Sequence, residues 1–115
     1  MDEISKSQIV VVLITAPSKE VGKQIARVLV EHKIAACVNI LSPINSLYVW
    51  AGQFYDEEEV LLIAKTRIGL FDDKLVPTVK AIHPYEVPEI IALPVEAGLH
   101  SYLNWIAEAT GVPSD

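Results

Sequence analysis

Ile82-His83-Pro84-Tyr85-Glu86-Val87-Pro88-Glu89, followed by the apolar run Ile90-Ile91-Ala92-Leu93, marks where a helix must give way to a strand. Each proline locks its own φ and drives the residue before it, His83 or Val87, out of the helical region. A helix arriving from the N-terminal side therefore stops near His83, and a strand starts near Val87. Between them lies a stiff connector that holds an imidazole, a phenol and two carboxylates at little entropic cost. It reads either as a rigid helix-to-strand turn or as a site presented at a sheet end.

On the upstream side, Phe71, Leu75, Val79 and Ile82 follow one another at helical spacing and predict an amphipathic helix. Pro77 disturbs that pattern, because it lacks an N–H and clashes with the preceding turn. The regular helix either begins a little before Pro77 or kinks there. Downstream, Glu89 to Val95 reads as a strand, and Pro94 inside it belongs at a sheet edge. Gly98 ends that strand, and Tyr102, Leu103, Ile106 and Ala107 mark a short last helix, in which Trp105 reads as a packing residue rather than a binding one.

In the N-terminal half, Ile9-Val10-Val11-Val12-Leu13-Ile14 is apolar on both faces, as befits a central strand covered on both sides. Ser18 can cap the helix that Val21, Ile25, Val28 and Leu29 define, and His32 suits its C-terminal end better than a ligand role. Ala35 to Ile40 opens a second strand, Ser42-Pro43 interrupts it, and Leu47 to Trp50 resumes it. Ala51-Gly52-Gln53 turns the chain, and Phe54 to Thr66 returns.

Each arm of this hairpin can run ~14 residues, or ~45 Å at the usual strand rise. A compact chain of this size has a radius of gyration of only about 13 Å. The tip must therefore project beyond its own domain, yet it carries Tyr48, Trp50, Phe54 and Tyr55, with Leu47 and Val49 on the other face. Apolar residues on both faces of a projecting hairpin call for a cover, and another copy of the chain is the economical one. On the return strand, alternation separates Glu57 and Glu59 from Asp56 and Glu58. That acidic stretch either discourages edge pairing or supplies ligands.

The order β-α-β-β-α-β plus a helix matches the α+β, ferredoxin-like plan, in which the last strand lies at the sheet edge beside the first. Residues 8–110 are expected to form one domain, with 1–7 and 111–115 as flexible termini. A net charge of −6 argues against phosphate-backbone binding and is compatible with cations as ligands. The single cysteine, Cys37, excludes an internal disulfide and fits a cytoplasmic setting. No apolar run reaches membrane-spanning length, and acidic Met1-Asp2-Glu3 stands where an export signal would be basic. Gly-rich phosphate loops, HExxH, CxxC and GxSxG motifs are absent from the sequence. Metal ligands could come from His83, Glu86, Glu89, Cys37 and the acidic hairpin, with strong binding requiring subunits to share them. Cys37 otherwise reads as a buried hydrophobe.

The chain resembles the CutA family of divalent-cation tolerance proteins over roughly residues 8 to 108. The resemblance is carried by Thr15-Ala16-Pro17, Ala35-Ala36-Cys37-Val38-Asn39, Ser46-Leu47-Tyr48-Val49-Trp50 with Gly52, and Glu59-Val60. It continues through Lys65-Thr66, the connector His83 to Glu89, and Leu93-Pro94-Val95. It implies a ferredoxin-like subunit and a tight homotrimer built partly by the long hairpins. It also implies a likeness to PII-type signalling trimers, a part in tolerance of copper or another divalent metal, and no enzymatic activity. Bacterial members are reported to bind copper, whereas eukaryotic relatives are linked to anchoring an esterase at membranes. Some bacterial members carry Cys-Thr-Ala-Pro and His-His-Pro-Tyr, whose cysteine and first histidine are replaced here by Ile14 and Ile82. Of those proposed copper ligands only His83 is present.

The expected metal ligands are His83, Cys37 and Glu86, at or near subunit interfaces. Trp50, Tyr48, Glu59, Lys65, Tyr85 and Glu89 are expected at the interface or pocket. Within this set Glu86 should face a ligand, and Glu89 should pair inside the protein, with Lys65 as the available cation. The alternative is a PII-like trimer that binds a metabolite or protein partner without a physiological metal. A hydrolase of acylphosphatase type is disfavoured, since neither Arg27 nor Arg67 lies in a phosphate-cradling loop.

Overall fold

β1 (Ile9–Ala16) takes an inner place in a four-stranded sheet of order β2-β3-β1-β4, in which every neighbouring pair is antiparallel. The other elements are α1 (Lys19–Glu31), β2 (Cys37–Trp50), β3 (Gln53–Arg67), α2 (Val76–Ile82), β4 (Ile90–Pro94) and α3 (His100–Ala109). The computed structural model describes residues 8–112, so of the termini expected at 1–7 and 111–115 all but Gly111 and Val112 lie outside the described residues. Gly111 and Val112 belong to the stop of α3. Gly111 adopts φ 101° and Val112 N–H donates to Ala107 O at 2.9 Å, which satisfies a carbonyl the helix end would leave free.

Alternation along β1 sends Val10, Val12, Ile14 and Ala16 into the core with Val60, Leu62 and Ala64 of β3. Ile25 and Leu29 of α1, with Leu75 and Val79 at and within α2, close over that face. Gly22 lets α1 approach closely, because a Cβ there would sit 3.0 Å from Val60 Cγ2. Ser18 Oγ accepts the Val21 N–H at 3.2 Å and starts α1 as its sequence requires.

The opposite sheet face is only partly covered. α3 lies against β3 and β1, where Arg67 donates to Thr110 Oγ1 at 2.9 Å and Thr110 O at 2.7 Å. Beyond it, Val11 and Leu13 stay half-buried, while Leu41, Ile91 and Leu93 are exposed. The β1 run is apolar on both faces, but the described residues fully cover only one.

Pro94 pairs opposite Val10 on the outer strand β4, an edge where its missing N–H costs no ladder bond. Ahead of α2 the backbone passes through a 3₁₀ turn (Ile68–Leu70) and a π-turn (Phe71–Leu75), and becomes α-helical only at Val76. Pro77 thus sits in the first α-helical turn, so the helix begins just before it rather than kinking.

The β2–β3 hairpin turns at Ala51 and Gly52, with φ 53° and 77°, the positive values that a two-residue turn of matching twist needs. The molecule extends 51 × 27 × 26 Å, and its long axis reflects the hairpin projecting past the sheet. Ser42-Pro43 (a cis peptide) does not end β2 but places one extra residue between Leu41 and Ile44. Cys37, Asn39 and Leu41 pair with Lys65, Ile63 and Leu61, whereas Ile44, Ser46 and Tyr48 pair with Glu59, Glu57 and Tyr55. The bulge therefore switches which β2 residues share a face with odd-numbered β3 residues.

Candidate functional site

A cleft of about 810 Å³ lies between the base of the hairpin and the connector. Tyr48, Trp50, Tyr55, Glu57 and Glu59 line it from the hairpin, and Tyr85, Glu86 and Glu89 from the connector. Tyr48 and Tyr55 are a cross-strand pair whose rings stack at 5.1 Å between centroids. The Tyr48 hydroxyl donates to Glu57 Oε1. Across the cleft the Tyr85 hydroxyl donates to Glu59 Oε2 at 2.9 Å, so one phenol–carboxylate bond joins hairpin to connector. Glu59 is only 5% exposed.

These bonds favour the protonated phenols. Burial, followed by the bond to Glu59, raises the Tyr85 hydroxyl well above the ordinary tyrosine range. Tyr48 is pushed up to about 12, chiefly by its bond to Glu57. A folded-state value above the ordinary 10 means that this bond contributes fully below pH 10 and is lost as pH rises through about 12. Absorbance titration of the phenolate band should show a component near pH 12 that disappears in Tyr48→Phe. If the wild-type and variant titrations superimpose, Tyr48 is not bonded to Glu57 in solution.

His83 stands behind the cleft rather than in it. As the C-cap of α2 it is extended (φ −67°, ψ 133°), as a residue before proline must be, and its ring is 7% exposed. Nδ1 accepts the Tyr85 N–H at 3.1 Å, which leaves the proton on Nε2 to donate to Thr15 O at 2.7 Å. Both ring nitrogens are thereby committed, and the imidazole clamps the connector to the end of β1. Cys37 pairs opposite Lys65, which pairs opposite Val11. It is thus two strands across and about 13 Å along from the level of Thr15. His83, Cys37 and Glu86 are not brought together, and no group of three metal-ligating side chains occurs among the described residues.

Lys65 donates to Asn39 Oδ1, and Glu89 is exposed, so the expected Glu89–Lys65 pair does not form. Register explains this: Lys65 sits on β3 opposite Val11, while Glu89 precedes Ile90, which faces Ile14 from the other side of β1. Of the expected site residues, Tyr48, Trp50, Glu59, Tyr85, Glu86 and Glu89 do converge on the cleft. Tyr55 and Glu57, placed on the hairpin by the sequence but not among the expected site residues, join them. Period-two alternation along β3 sets both on the same face as Glu59.

The CutA1 divalent ion tolerance protein family model matches residues 10–109. The chain belongs to that family. It is 52% identical over 101 residues to the divalent-cation tolerance protein CutA of Thermus thermophilus, covering 88% of this chain and 97% of that one. The solved structure of a divalent cation tolerance protein from Thermus thermophilus superposes with a TM-score of 0.87 at 50% identity, over 90% of this chain and 99% of that one. The structure of the periplasmic divalent cation tolerance protein CutA from Archaeoglobus fulgidus gives 0.85 at 43% identity, over 89% and 98% of the two chains. Human protein CutA is 45% identical over 102 residues, which is 89% of this chain but 56% of the human protein. This CutA-family chain thus spans about half the length of that relative. No helix among its described residues is long and apolar enough to cross a membrane.

Proposed function

We propose that this CutA-family protein acts as a non-enzymatic homotrimer of ferredoxin-like subunits in cytoplasmic divalent-cation tolerance, with its ligand seat at the subunit boundary. One observation carries the reading. An apolar sheet face with Leu41, Ile91 and Leu93 uncovered continues toward a hairpin whose Leu47, Val49, Trp50 and Phe54 are more than half exposed. A surface of that kind calls for sister subunits. The strand order β2-β3-β1-β4 supports the ferredoxin-like description. Light scattering at micromolar concentration should give the mass of three chains, and a single-chain mass would overturn the proposal.

Copper or another divalent cation is the ligand that the family's description suggests. The described residues of one chain do not gather a centre for it, since His83 has no free nitrogen and Cys37 lies elsewhere. A divalent ion at the boundary would need donors from a second subunit. The commitment of His83 favours a second reading, a PII-like trimer whose cleft holds a small molecule.

A further inference from the structure

We propose that the cleft is a seat for an aliphatic diamine or polyamine, its ammonium groups on Glu59 and Glu57 and its methylenes against the tyrosine rings. The inference rests on the second reading, the cleft as a small-molecule site, and names the class of molecule. It starts from Glu59, which is only 5% exposed and has no cationic partner among the described residues. Oε2 is occupied by the Tyr85 hydroxyl at 2.9 Å, and Oε1 has no hydrogen-bond partner there. Among the described residues no fully buried side-chain oxygen is left without a partner, so Oε1 keeps some exposure, and Glu59 lines the cleft. A carboxylate so withdrawn from water, with one oxygen free, is an incomplete pair that a cation completes.

The rest of the lining selects the kind of cation. Four carboxylates, Glu57, Glu59, Glu86 and Glu89, face the cleft, and among the described residues no lysine, arginine or histidine does. They do not cluster tightly enough to hold one metal ion. Glu57 and Glu59 are same-face neighbours on β3, their Cα atoms about 6.7 Å apart at the usual strand rise. That spacing suits two charges separated by a short methylene chain better than one point charge. Stacked Tyr48 and Tyr55 offer π-faces and apolar surface to such a chain. A cleft of about 810 Å³ has room for it in an extended form.

Titration calorimetry with putrescine and spermidine on the purified protein tests this, with hexane-1,6-diol as the uncharged analogue. The amines should bind and the diol should not. Glu59→Gln should weaken amine binding at least tenfold, whereas Glu58→Gln, on the other face of β3, should change it less than threefold. Equal losses in the two variants would mean diffuse attraction to an acidic protein and would overturn the proposal. So would an absence of amine binding to a three-chain wild-type particle, a result that leaves the trimer standing. If Glu59→Gln dissociates the assembly, Tyr85→Phe and Glu57→Gln provide the comparison. Amine affinity unchanged in both would give Glu59 to a neighbouring subunit's cation instead. Zinc or copper binding that depends on Glu59, without amine binding, would assign the cleft to a metal.

Discussion

His83→Ala should lower the melting temperature on the order of 10 °C while leaving copper and zinc affinity unchanged. The imidazole is 7% exposed and makes one bond from each nitrogen, to Thr15 O and to the Tyr85 N–H. Its removal leaves a carbonyl and an amide without partners in a poorly hydrated place, each costing about 1–3 kcal/mol. A loss near 3 kcal/mol corresponds to roughly 10 °C for a domain of this size. Because Tyr85 then loses its anchor, its bond to Glu59 should loosen as well. Thermal melts paired with metal titrations decide the matter. A variant that melts normally but has lost its metal affinity would show that His83 is a ligand after all.

Ile63→Glu should reduce a three-chain particle to single chains without unfolding them. Ile63 lies mid-sheet on the uncovered face, in a row with Leu13 of β1 and Ile91 of β4. It is only half-buried within its own subunit, so a carboxylate there can still reach water when the subunit stands alone. In an assembly that buries this face, the same carboxylate would be desolvated without a partner, at a cost of several kcal/mol per subunit. Trp50→Arg should act in the same direction from the hairpin, where Trp50 is 57% exposed. Light scattering and far-ultraviolet circular dichroism read the two effects separately. Three chains retained with Ile63→Glu would mean that subunits meet on another surface.

Much of this was legible because short-range rules govern it. The connector's prolines dictated where α2 ends, Ser18 dictated where α1 begins, and Pro94 dictated an edge strand. The reach of the hairpin followed from counting residues against the strand rise, and its projection is seen in the long axis of 51 Å. The metal set of His83, Cys37 and Glu86 was less secure, since nothing in a sequence reports whether a ring nitrogen is already engaged. Thr15 O lies 68 residues from His83 in the chain, and only packing brings them together.

The order of elements, the face of each helix and the side of β3 that carries Glu57 and Glu59 are all written in the chain itself. Each is a matter of period along one element, set by backbone geometry. Which residues look at one another across the cleft is settled by packing and register alone. Alternation continued straight through β2 would set Tyr48 and Trp50 on the opposite face from Cys37, and so away from Glu57. The extra residue between Leu41 and Ile44 reverses that parity and lays Tyr48 against Tyr55 and Glu57. One inserted residue turns every later side chain of a strand over, because the period of a strand is two.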